Sequence, residues 1–128
     1  MAIHIVRLGS PRLPNEGLRL GTVRRTPRGV TKRDFARLNW YDLWLPLLSP
    51  SPAIIKMAQA AETDAQWKHF ARKYRTEMSK AEPAMVLDLL AALSHQTHFS
   101  VGCYYENESR CHRSILRQLL KERGAEIG

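Results

Sequence analysis

The stretch from Thr97 to Gly124 constrains the fold most, because it places a buried strand, a polar loop and an amphipathic helix in immediate succession. Thr97 to Cys103 carries no formal charge and reads as a buried strand. Cys103 to Arg113 is a polar loop running into a helix, in which Ile115, Leu116, Leu119 and Leu120 recur at helical spacing. Lys121, Arg123 and Gly124 close that helix, the glycine at the position just past the end. Ser109 reads as its N-cap, which would aim the free N–H groups of the first turn back at the strand end. Nearly every reactive side chain of the sequence lies in this stretch.

The rest of the chain supplies more strands and several helices. Ile3 to Leu8 is short, β-branched and ended by Gly9-Ser10-Pro11, as a first strand and its turn are. Pro11 to Gly17 reads as a surface loop, and Leu18 to Arg24 resumes a strand-like alternation. That strand delivers Arg24, Arg25, Pro27, Arg28 and Gly29 to a turn, after which Thr31 caps a short helix through Phe35. Leu38 to Ser51, rich in aromatics and proline, reads as an ordered loop packed by its own rings. Pro52 suits the first position of a helix capped by Ser51. Thr63-Asp64-Ala65-Gln66 is a capping box opening a helix with Trp67, Phe70, Ala71, Tyr74 and Met78 on one face. A further helix starts at Glu82-Pro83 and carries Val86, Leu87, Leu90, Ala91 and Leu93.

Strands separated by helical segments predict one small α/β domain over residues 1–128, with a mainly parallel sheet flanked by helices and a helix-rich middle. In such sheets the ligand crevice lies beyond the carboxyl ends of the strands. The Arg24 to Gly29 turn and the Cys103 to Arg113 loop are therefore expected to face one crevice.

A formal net charge of +8 and a pI near 10.0 point to an anionic partner, either nucleic acid or a small phosphorylated or carboxylated ligand. The basic residues form two groups, one from Arg19 to Arg37 and one from Arg110 to Arg123, and a solvated face is the plain alternative for both. Two cysteines argue against a disulfide scaffold, and no apolar run approaches the roughly 20 residues of a membrane span. The first residues lack the apolar segment of a signal peptide. The expectation is a cytoplasmic protein with reduced thiols and no membrane contact.

Four chemistries compete in the Cys103 to Arg113 loop. A helix N-terminus with Arg110 and Arg113 in its first turn can cradle phosphate, sulfate or carboxylate, while Glu106 and Glu108 either pair with those arginines or meet a ligand amine. Cys111, beside His112, would feel the helix dipole and the guanidinium groups, both of which favour a thiolate. Cys103 reads as a core thiol. A metal site from Cys103, Cys111 and His112, with His95 or His98 as a further ligand, lacks the close Cys or His pairs of familiar zinc motifs, so no metal is expected. The fourth reading is nucleic-acid binding by the whole basic surface, although no known module is present. A plain structural reading has Glu106 and Arg113 pair while His112 caps the helix.

The run Val101-Gly102-Cys103-Tyr104-Tyr105-Glu106-Asn107-Glu108-Ser109-Arg110-Cys111-His112-Arg113-Ser114 resembles the signature of the DUF488 (YeaO-like) family, a bacterial group with no assigned reaction. The likeness extends to Arg7-Leu8-Gly9-Ser10-Pro11, Arg24-Arg25-Thr26-Pro27-Arg28-Gly29, Tyr41-Asp42-Leu43-Trp44-Leu45-Pro46, and Trp67 through Phe70, Tyr74 and Arg75 to Met78. It implies a small α/β domain with signature Cys, Glu, His and Arg residues near one strand end. Carried over by residue, it implicates Arg28, Cys103, Glu106, Cys111, His112 and Arg113. Tyr105 stands where the subfamily often has a further cysteine, which removes a third thiol from any mechanism. The resulting expectation is a small anionic or nucleotide-like ligand held by Arg28, Arg110 and Arg113 beside Cys103 and Glu106. His112 and Cys111 are the candidates for chemistry, and no cofactor is implied. The alternative is a non-catalytic nucleic-acid-binding or accessory protein.

Overall fold

Among the described residues four strands pair side by side, all parallel: β1 (Ile3–Arg7), β2 (Leu18–Gly21), β3 (Leu43–Trp44) and β4 (Phe99–Cys103), in the order β1-β4-β2-β3. The computed structural model describes residues 2–105 and 107–128, so Glu106 of the expected site lies outside the described residues. Between β3 and β4 the chain forms α1 (Pro52–Ala60), α2 (Asp64–Met78) and α3 (Ala81–Leu93), and α4 (His112–Glu122) follows β4. β1, β2 and β3 follow one another through loops and a 3-10 turn at Lys32–Asp34, so the parallel sheet and helix-rich middle that the sequence predicts form without a helix between each pair of strands. Among the described residues no helix is long and apolar enough to cross a membrane.

The parallel register makes one face of the sheet apolar. Ile3 stands beside Phe99, Ile5 beside Val101, and Val101 beside Leu20. Because alternate residues share a face, these side chains meet Phe70, Tyr74, Leu87, Leu116 and Leu120 from the helices in one core. Each such side chain, fully buried, stabilises the fold by roughly 1.5–3 kcal/mol. The capping box predicted for α2 is present, with Thr63 Oγ1 accepting from Gln66 N and Gln66 Oε1 accepting from Thr63 N.

The opposite face is covered by loops and carries a charge pair. Arg19, read above as part of a basic surface group, is fully buried. Its Nε and Nη2 donate to the two oxygens of buried Glu16 at 2.7 and 2.8 Å, and its Nη1 donates to the carbonyls of Ser10 and Asn39. Ser100 Oγ completes the shell with a 2.7 Å bond to Glu16. Small residues make room for this layer: a Cβ on Gly21 would overlap the Tyr41 ring.

Three sequence expectations change. Thr31 leads into a 3-10 turn at Lys32–Asp34 with no side-chain cap bond, rather than capping a helix through Phe35. The Leu38 to Ser51 segment contains β3 and a single 3-10 turn at Pro46–Leu48, rather than loop alone. Its rings pack on neighbouring elements, Tyr41 edge-on to Phe35 and Trp40 edge-on to Tyr104. Ser109 is not the cap of the last helix. Asn107 Oδ1 accepts from Ser109 N and folds Glu108–Arg110 into a 3-10 turn, and the chain then extends at Cys111, the residue that precedes α4.

Candidate functional site

The carboxyl ends of β2 and β4 and the start of α4 converge, and the 3-10 turn is what brings them together. Cys103 is the last residue of β4, Cys111 is the cap residue of α4, and His112 is its first helical residue. The expectation of two reduced thiols, with Cys103 an inert core residue, is corrected: the two sulfur atoms are joined as a disulfide, and no free cysteine remains among the described residues. The 3-10 turn folds the loop back on itself, so residues 8 positions apart meet across a Cα separation of 7.6 Å.

His112 is oriented from behind. Its Nε2 lies 2.7 Å from the carbonyl oxygen of Thr22, at the end of β2, and must carry the proton to donate there. Nδ1 is left with its lone pair toward Cys111 Sγ, 3.8 Å away. Burial pushes the imidazole down to about 4, against the bond to Thr22, which raises it, while Arg113 adds to the fall. The ring is therefore neutral near pH 7. Tyr74 meets it edge-on at 5.6 Å. Sγ of Cys103, Sγ of Cys111 and a ring nitrogen of His112 all lie within 4.8 Å of one another.

A cleft of about 550 Å³ opens on this cluster, walled by Cys103, Tyr104, Tyr105 and His112 on one side and by α1 on the other. Arg24, Arg25 and Lys56 line it, and no carboxylate of the described residues does. Arg24 also braces the segment before α1, donating to the carbonyls of Ser49 at 3.1 Å and Pro50 at 3.3 Å. A larger cleft of about 750 Å³ lies on the other side of Tyr104, with Arg7, Arg28 and Trp40 in its wall. That larger space touches neither cysteine nor His112, so the smaller cleft is the one with chemistry at its edge.

The expected site residues divide accordingly. Cys103 and His112 border the smaller cleft, with Cys111 buried behind them. Arg28 lines the neighbouring cleft instead, although Tyr104 links the two by donating to the carbonyl of Arg25 at 2.8 Å. Arg110 points outward, bonded to Asp64 at 3.3 Å and stacked over Trp67. Arg113 is 3% exposed and holds the loop from inside, donating through Nη2 to the carbonyl of Tyr105. Burial lowers its affinity for the proton, and Glu108 opposes that shift. Among the described residues its Nε has no hydrogen-bond partner. Glu108 itself is claimed by Arg117 at 2.8 Å. Sequence reasoning passed over Thr22, Lys56 and Gln59, and placed Arg24 and Arg25 only as a basic turn. For Thr22 the signal was its place at a strand end facing the loop; for Lys56 and Gln59, on a solvated helix face, there was none.

A family model described as DUF488-N3a, the active DUF488-N3 subclade, matches residues 3–124. No curated protein and no solved structure matches the chain.

Proposed function

The chain belongs to the DUF488 family, and from that premise we propose that it binds a small anionic, nucleotide-like ligand in the cleft between β2, β4 and α1. One observation carries the reading: Arg24, Arg25 and Lys56 converge on a concave space with no carboxylate among its described lining. Cations at a surface are usually solvated singly, whereas three around one cleft raise the local potential for an anion and favour its entry. The position beyond the carboxyl ends of parallel strands is where open α/β sheets bind ligands. Arg25 and Lys56 are exposed and hold the anion; Arg24, tied to two carbonyls, presents a fixed charge. Tyr105, 46% exposed, offers a ring face for a base. Arg113 acts as a positioning residue through the Tyr105 carbonyl. His112, with Cys111 once its bond to Cys103 is reduced, is where a reaction would run, since no other imidazole of the described residues borders the cleft.

The second reading is nucleic-acid binding by the wider basic surface, supported by the net charge of +8. Thermal shift at low salt separates the two, using inorganic phosphate, nucleoside monophosphates and oligonucleotides of increasing length. Binding to the native state alone raises the melting temperature by mass action. A rise with phosphate or a mononucleotide that is lost in Arg25→Ala and Lys56→Ala, and kept in Arg110→Ala, supports the cleft. A rise only with oligonucleotides, growing with length and equal in all variants, moves the reading to the surface. No rise with any of them overturns both.

A further inference from the structure

We propose that the reduced protein binds a divalent transition-metal ion, of the zinc type, through Cys103 Sγ, Cys111 Sγ and His112 Nδ1, with a fourth position open to the cleft. The three donors already lie within 4.8 Å of one another and are buried. Three protein ligands of the Cys2His type plus one open position is the arrangement of zinc sites that take an exchangeable ligand. The two cysteine Cα atoms stand 7.6 Å apart, which leaves room, once the sulfurs are reduced, for two thiolates to reach an ion placed between them.

The tautomer supports the same conclusion independently. A metal-ligating histidine commonly donates its other N–H to a carbonyl, which fixes the ring and keeps the ligating nitrogen unprotonated. His112 does this with Thr22, donating through Nε2 at 2.7 Å and leaving Nδ1 to the sulfur side. Thr22 is itself held, with its N and Oγ1 both 3.0 Å from the carbonyl of Gly102. The ring therefore cannot swing its free nitrogen elsewhere without breaking that bond.

The charges balance. A dithiol reductant supplies two electrons and two protons to the Cys103–Cys111 bond, giving two thiols and leaving the reductant as a disulfide. Coordination then releases both thiol protons to water, and the dication with two thiolates is neutral overall, which a buried site tolerates. Cys103 and His112 border the cleft, so an ion can enter from there and its open position faces Arg24, Arg25 and Lys56. An anionic fourth ligand would meet both the ion and these cations. The metal site does not depend on that ligand.

Cobalt(II) is the probe, added to the reduced, metal-free protein. The expected result is one cobalt per chain, with sulfur-to-metal charge-transfer absorption and the visible bands of a tetrahedral ion, all reversed by zinc. Cys103→Ser and Cys111→Ser should each weaken the charge-transfer band at least twofold, His112→Gln should weaken binding at least tenfold, and His69→Gln should change nothing. In case a variant fails to fold, the wild type carries its own test: zinc should protect two thiols from alkylation in the reduced protein, and the oxidised protein should bind no ion. Folded, reduced wild type that shows no thiolate charge transfer, or alkylates at the same rate with and without zinc, overturns the proposal. So does cobalt binding that persists unchanged in the oxidised protein.

Discussion

Arg19 and Glu16 meet in a two-pronged ion pair inside the protein, Nε to Oε2 at 2.7 Å and Nη2 to Oε1 at 2.8 Å, with neither side chain in appreciable contact with solvent. Desolvation alone would raise the Glu16 carboxyl. The Arg19 guanidinium, the N–H of Leu13 and the hydroxyl of Ser100 outweigh it and hold the group down at about 2, against an ordinary 4.5. The folded state thus binds fewer protons than the unfolded state between those values. The stabilisation is fully present above pH 4.5 and is lost as pH falls toward 2. Thermal melts from pH 7 to pH 2 should show Glu16→Gln destabilised by about 3–5 kcal/mol at neutral pH, since it strands a buried guanidinium. The gap to wild type should narrow below pH 4.5. A gap that stays constant through that range would assign the acid sensitivity to other carboxylates.

Gly102 sits in the central strand with no room for a side chain. A Cβ there would lie 2.7 Å from the carbonyl oxygen of Val6 and 2.8 Å from Leu8 Cδ2. Gly102→Ala should cost about 1–3 kcal/mol, because backbone of the adjacent strand must move. Chemical denaturation measures it, and a loss below the error of the fit would show that β1 can yield.

Tyr74 donates to the carbonyl of Leu48 at 2.6 Å while its ring lies in the main core and against His112. Tyr74→Phe keeps the ring and leaves that buried carbonyl unpaired. The expected cost is about 1–3 kcal/mol. Circular-dichroism melts should show it, with the near-ultraviolet signal otherwise preserved. An unchanged melting temperature would mean that water replaces the hydroxyl.

Arg113 holds the carbonyl of Tyr105 from inside, and Arg117 grips Glu108 at the surface. Arg113→Met, similar in length and uncharged, should release the Tyr104–Tyr105 wall and raise amide exchange at Tyr105 and Asn107 at least tenfold. Arg117→Met should change stability by no more than about 1 kcal/mol, as partly exposed pairs generally do. Hydrogen exchange read residue by residue distinguishes the two, and equal effects would put Arg113 among ordinary surface pairs.

What could be read in the chain follows from the range of the interactions involved. α2 was legible because its capping box and its Phe70, Tyr74 and Met78 stripe are local patterns. β4 was legible because all of its residues are buried. β3 was not, since both of its residues are exposed and it exists through main-chain bonds such as Leu45 N to Gly21 O at 2.8 Å. In β2 hydropathy misleads: Leu18 is exposed and Arg19 is buried, because the partner of Arg19 sits in the preceding loop.

For the candidate site, the strand-loop-helix stretch correctly marked where Cys103, Cys111 and His112 gather. The joining of the two cysteines was not legible, because it depends on the 3-10 turn that Asn107 opens, and no short motif spans that distance. The cations were legible as a group but not by direction. Arg19 turns inward to Glu16, Arg110 outward to Asp64, and Arg24 and Arg25 toward the cleft, and only the fold decides which.

The strand order has a consequence for how the molecule comes into being. β1 and β2 do not touch; β4 lies between them, so Ile5 is paired with Val101 and Leu20 with the same residue from the other side. On the ribosome β1 has no strand to join until β4 has been made, whereas β2 can pair with β3 earlier. β1 must wait for β4 before its apolar residues are paired, and the cleft, the sulfur pair and His112 take shape only once β4 and α4 have followed. Such reliance on contacts distant in sequence slows folding and leaves the edge of β1 exposed to aggregation until β4 arrives.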